Sequence, residues 1–139
     1  MKKKIITTCL CLFSISCWAQ QDSTAFNCKI YNQEYDVYMV INFKDNNVTV
    51  PGQEIFGEMS GYFGDYKDSR KWLITDAKVK NQKAELSITN DYGSEDLTAE
   101  LSIGKDGKYI LKQLDGSTLK IARNRKWVKI PKNLEFIKK

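Results

Sequence analysis

The 139-residue chain contains no histidine. That removes the usual general base near neutral pH, the Ser-His and Cys-His nucleophile pairs, and the commonest zinc ligand. Four cysteines are present, but Cys9, Cys11 and Cys17 fall in the first 19 residues and only Cys28 follows. If those first residues are a leader, no internal disulfide, no CxxC redox pair and no thiolate metal cluster is available. There is no glycine-rich phosphate loop. What is left for catalysis is a carboxylate pair of the kind used in glycoside hydrolysis. The expectation is therefore a protein that is not an enzyme, with no catalytic residue, no metal ligand and no cofactor.

The N-terminus, MKKKIITTCLCLFSISCWAQ, has the form of a secretory signal peptide. Lys2, Lys3 and Lys4 make a positive region, Ile5 to Trp18 an uncharged apolar stretch, and Cys17-x-Ala19 a small-x-small cleavage site. The apolar stretch is about 14 residues, short of the roughly 18–20 that span a bilayer as a helix. Nothing later in the chain is longer, so no membrane span is expected. Residues 1–19 are read as a signal peptide and 20–139 as one domain, exported to the periplasm or secreted. The alternative is a membrane-anchored lipoprotein with a lipid on Cys17. Ser16 suits a bacterial lipobox and Ser14 does not.

Removing the leader changes the charge balance. The basic count falls from 22 to 19 against 17 acids, so the net charge drops from +5 to +2. What remains is uneven. Lys120 to Lys139 carries eight basic residues and one acid, Glu135, while residues 20–119 carry a net of −5. The basic stretch includes Trp127 and Phe136, a mixture that can bind nucleic acid. Yet Leu119 and Ile121 alternate with Lys120 as in an ordinary solvated strand, and no nucleic-acid partner is expected for an exported domain. An anionic headgroup, an acidic polysaccharide or an acidic protein suits that compartment better.

The remainder is a series of short runs of period two separated by turn residues. Tyr35, Val37, Met39, Ile41 and Phe43 share one face; so do Ala84, Leu86 and Ile88, and Leu97, Ala99, Leu101 and Ile103. Asn81-Gln82 and Asp106-Gly107 mark hairpins, the second with the strongest short-range signal; Asp115-Gly116 marks another turn. Gly57 and Gly61, inside the run QEIFGEMSGYF, mark bends or close backbone approach. A helical turn is expected only near residues 64–71. About eight or nine strands at spacings of roughly 8–12 residues make an all-β domain. Short connections favour a small antiparallel up-and-down barrel of calycin-like architecture, which hides its edges, over a β-sandwich.

Two places attract attention as sites. Asn90, Asp91, Glu95 and Asp96 are dense enough in oxygen to suggest calcium, but they lack EF-hand register and suit a solvated turn with Gly93 at positive φ. Tyr62, Tyr66, Arg70 and Trp72 gather aromatic rings beside an arginine, the composition of binding hot spots. They are the candidate ligand- or partner-binding residues; the alternative is rings plugging a barrel mouth.

The size, leader and strand rhythm resemble small exported β-barrel binding proteins of the calycin type, although the Gly-x-Trp of lipocalins is absent. Phe26-Asn27-Cys28 and Ser60-Gly61-Tyr62 resemble stretches of periplasmic lysozyme inhibitors, whose barrels are generally shorter and commonly disulfide-linked. Neither family is assigned. Two functions follow from these readings. The first is an exported non-enzymatic barrel that binds a small apolar or amphipathic molecule in the cell envelope, inside a cavity enclosed by the strands. The alternative is a protein-interaction module, an inhibitor or envelope-assembly accessory, that meets an envelope protein through the 61–72 loop.

Overall fold

The computed structural model describes residues 23–139. The expected leader, and Cys17 with its lipidation alternative, lie outside the described residues. A 3-10 turn at Ser23–Phe26 leads into twelve strands: β1 (Asn27–Asn32), β2 (Val37–Asn42), β3 (Val48–Thr49), β4 (Glu58–Met59), β5 (Gly61–Asp65), β6 (Asp68–Lys80), β7 (Lys83–Asn90), β8 (Asp96–Ile103), β9 (Tyr109–Gly116), β10 (Lys120–Arg123), β11 (Lys126–Lys129) and β12 (Asn133–Lys138). Eight of them close an antiparallel barrel in the order β1-β12-β9-β8-β7-β6-β5-β2. Leaving out the two-stranded excursions β3–β4 and β10–β11, each strand pairs with its neighbour in sequence. That is the up-and-down barrel the turn spacing predicts, and closure leaves no free edge. Among the described residues no helix is long and apolar enough to cross a membrane.

Alternation puts the expected residues inside. Val37, Met39, Ile41, Ala84, Leu86, Ile88, Leu97, Ala99 and Leu101 are buried, and they join Phe63, Ile74, Leu111, Leu134 and Phe136 in one apolar cluster along the axis. The base is plugged by Phe26, which stacks on Phe43 at 5.3 Å and meets Tyr109 edge-on at 6.3 Å. Tyr109 donates its hydroxyl hydrogen to the Ala25 carbonyl, and Cys28, half-buried with a free thiol, lies 3.5 Å from the same hydroxyl. A second, smaller cluster lies outside the wall. There β3–β4 folds back over the barrel and buries Val50, Tyr62 and Leu73.

Several turns differ from expectation. No helical turn forms at 64–71: β5 continues to Asp65, whose carboxylate accepts the Lys67 N–H at 3.0 Å, and the chain reverses over Tyr66-Lys67 into β6. That side-chain-to-backbone bond offers the backbone a turn in place of a helix. The run around Gly57 is not one strand either, because a 3-10 turn at Glu54–Phe56 interrupts it and Gly57 follows at φ 76°. Asp115-Gly116, expected as a turn, instead forms the end of β9: Gly116, at φ 100°, pairs with Leu97 of β8 beside a register shift.

Candidate ligand-binding site at the barrel mouth

The mouth, opposite the Phe26 plug, is ringed by the β1–β2, β5–β6 and β7–β8 turns, and the β10–β11 hairpin lies across it as a lid. The lid shares no sheet with the barrel. Its turn is the two residues Asn124-Arg125, both at positive φ (53° and 66°), which suits the twist of a tight hairpin. Three polar straps hold it down. Arg123 grips Asp65 through two hydrogen bonds of 2.6 and 2.8 Å and donates a third, of 2.8 Å, to the Tyr35 carbonyl. Lys120 pairs with Glu95 at 2.9 Å. Trp72 donates its indole N–H to the Lys120 carbonyl at 3.3 Å. Asp65 points inward from β5 and its side chain is only 4% exposed. A carboxylate so placed needs a partner, since an unpaired buried charge is costly; the Arg123 fork supplies it.

Between the lid, the β5–β6 hairpin and the β7–β8 turn opens a slot of about 150 Å³. Trp72, Phe63 and Ile121 supply its apolar wall, while Trp127 and Tyr92 stand at its rim, 60% and 77% exposed. Rings this exposed leave most of their area in water. The polar lining is shared between β5–β6 and the β7–β8 turn, where the Asn90 side-chain oxygen accepts the Ser94 and Glu95 amides at 2.9 and 3.3 Å and Gly93 takes φ 74°. The turn expected at Asn90–Gly93 therefore forms, and it aims Asp91 at the Lys71 amide, 3.2 Å away. Arg70 closes the rim: it donates to both oxygens of Asp68 at 2.9 and 3.0 Å, and its guanidinium lies 5.2 Å from the Trp127 ring centre. Burial pushes the Asp68 carboxyl up, but the hydrogen bonds and charge of Arg70 outweigh it and hold the group below the ordinary carboxylate range.

The structure divides the four sequence-derived candidates into two pairs. Arg70 and Trp72 meet in the slot. Tyr62 and Tyr66 lie on the outer wall instead, because Tyr62 alternates outward from the inward Phe63 and Tyr66 sits in the β5–β6 turn. There Tyr38 packs 5.9 Å from Tyr62 and 4.5 Å from Tyr66, with the Lys29 ammonium 4.6 Å from the Tyr38 ring centre. Burial, reinforced by Tyr62, pushes the Tyr38 phenol up to about 12. At Tyr66 burial acts upward as well, but Lys29 and Lys139 win and draw the phenol below its ordinary value. Trp127 and Tyr92 escape a sequence reading because they lie 55 and 20 positions from Trp72 and meet it only when the lid and the β7–β8 turn converge. A signal was present for Trp127: Asn124 between two alternating runs is a hairpin turn, which lifts the ring onto a lid.

The cavity expected inside the barrel is replaced by packed core side chains along the axis, and the open slot lies at the mouth instead. The slot is smaller than the roughly 300–1,000 Å³ of drug-sized pockets. No protein-family model matches the chain, and neither a curated protein nor a solved structure matches it.

Proposed function

We propose that this chain is an exported, non-enzymatic binding protein whose mouth slot holds one ring of a small amphipathic molecule. The observation that carries this reading is the pair of exposed rings, Trp127 and Tyr92, standing over an apolar floor and beside a polar edge. A ring with one apolar face and polar substituents would stack on the former and hydrogen-bond to the latter. The leader-like residues 1–19 support export. A binding role is favoured over catalysis because the slot carboxylates are already engaged, by Arg123, Arg70, Lys120 and the Lys71 amide. Placing the ligand at the mouth also keeps the barrel core intact as a scaffold.

The test is native mass spectrometry on the protein purified from its own envelope. A bound small molecule is expected, and it should be lost from Trp127→Ala and from Tyr92→Ala while their thermal midpoints stay within about 2 °C of the parent, as for exposed positions. A ligand retained by both variants, or released only when Leu86→Ala loosens the core, would place binding elsewhere.

A further inference from the structure

The Arg70–Trp127 pair has a second side. Beyond it, away from the slot, lies an open groove of about 420 Å³ along the lid, lined by Lys67, Arg70, Arg125, Lys126 and Trp127. Asp68 is its one acid, and Arg70 already holds it. Among the described residues the side chains of Lys67, Arg125 and Lys126 form no ion pair. The groove thus presents a concentrated positive charge beside an exposed indole, at the end of a slot that has the opposite bias.

The second observation is independent and concerns the backbone. Arg125 adopts φ 66° as the second residue of the lid turn. In such a turn that position is the usual place of glycine, and a long side chain there costs stability. Nothing in the fold repays the cost: the Arg125 side chain makes no hydrogen bond or ion pair among the described residues, and the residue is exposed and lines the groove. Backbone strain kept at a residue with no structural partner points to a ligand for that residue.

Resting on the proposed ring-binding slot, we infer that the ligand is an acidic saccharide: one sugar ring in the slot against Trp127, and a carboxylate or sulfate of the adjoining unit in the groove against Arg125 and Lys126. A flat anionic membrane suits the site less well, because its cations line a concave track around a ring. Guanidinium and ammonium groups at the rim also provide the charge-assisted bonds that a carboxylate or sulfate accepts.

The test uses soluble oligogalacturonate and dextran sulfate, each against its uncharged counterpart, methyl-esterified oligogalacturonate and plain dextran. Trp72 and Trp127 are the only tryptophans after residue 19, and both line the slot, so intrinsic fluorescence reports occupancy directly. At least one acidic probe is expected to change the emission, to bind at least about tenfold more tightly than its neutral form, and to weaken with salt. Arg125→Gly should lower that affinity about tenfold while leaving the thermal midpoint unchanged or raising it by up to about 4 °C, since glycine accepts the left-handed backbone. Lys126→Gln, which leaves the turn alone, should weaken binding in the same direction. Equal binding of acidic and neutral probes would overturn the inference and leave the slot reading standing. So would unchanged affinity in both variants. Capture by anionic phospholipid vesicles without a response to either acidic saccharide would overturn it in favour of a membrane surface. Silence from every probe would overturn it too, and the native mass measurement would still decide the slot.

Discussion

At the scale of single residues, two glycines show how close packing of backbone dictates side-chain identity. A Cβ on Gly61 would sit 2.3 Å from the Val40 carbonyl oxygen and 3.0 Å from the Ile41 Cα, both parts of a paired strand that cannot move aside. On Gly64 the nearest atoms, at 2.5 Å, belong to the Tyr38 ring, which can turn away. Gly61→Ala should therefore cost about 2–3 kcal/mol and Gly64→Ala distinctly less, within the range of overpacking effects. Urea denaturation of the two variants side by side checks the order; equal costs would mean that Tyr38 is as immobile as the backbone. A glycine inside an alternating run already announced close approach at Gly61. The same kind of local signal exposed Arg70 and Trp72, two positions apart on one strand, as neighbours. It could not separate Tyr62 and Tyr66 from them, because a hairpin turn sends successive side chains to opposite sides of the wall.

At the scale of elements, the lid is a four-pair hairpin that shares no sheet with the barrel, so side chains must fasten it. It depends on the Asp65–Arg123 fork, on Lys120–Glu95 and on the Trp72 indole. Arg123→Met should destabilise the fold by about 3 kcal/mol, since it strands a carboxylate whose side chain is 4% exposed. Adding Asp65→Leu should restore much of the loss, because the pair is then replaced by apolar groups. Chemical denaturation measures both, and a red shift of Trp72 emission in the single variant would show the lid lifting. No recovery in the double variant would mean that the fork positions the lid in a way packing cannot replace. The eight or nine strands expected match the eight of the barrel; the four further strands among the described residues lie in the β3–β4 and β10–β11 hairpins, and β3 and β4, at two residues each, are too short to show alternation. Which runs join the barrel and which fold over it is decided by pairing partners far along the chain, and period-two patterning carries no such information.

At the scale of the whole molecule, the outer tyrosine wall sets an alkaline limit. Tyr38 titrates at about 12 in the folded protein against an ordinary 10.0. Its proton is therefore held more tightly in the folded state, and the stability it contributes is complete below pH 10 and declines as pH rises toward 12. The thermal midpoint should fall across that interval, and Tyr38→Phe should flatten the fall; an unchanged slope would assign it to other groups. Tyr66 acts with the opposite sign, because its phenol is drawn down by Lys29 and Lys139 and so favours the folded state more as it ionises. The barrel itself was legible in the sequence from hairpin turns and alternation. The filled axis was not, since small inward residues such as Ala84 and Ala99 are consistent with either a cavity or large neighbours opposite them.

The seam of the barrel has a consequence in time as well as in space. β1, the first strand, pairs with β2 over six positions but with β12, the last, only through Ile30–Lys138 and Tyr31–Ile137. Until residues 133–138 arrive, one side of β1 and one side of β9 lack their barrel partners and the apolar interior stays open to water. Deleting those six residues should leave a chain with no cooperative thermal transition, whereas a cooperative one would show that seven strands suffice. Exclusion of water from the interior therefore waits on the pairing of β12 with both β1 and β9, and the barrel is complete only once that strand is in place.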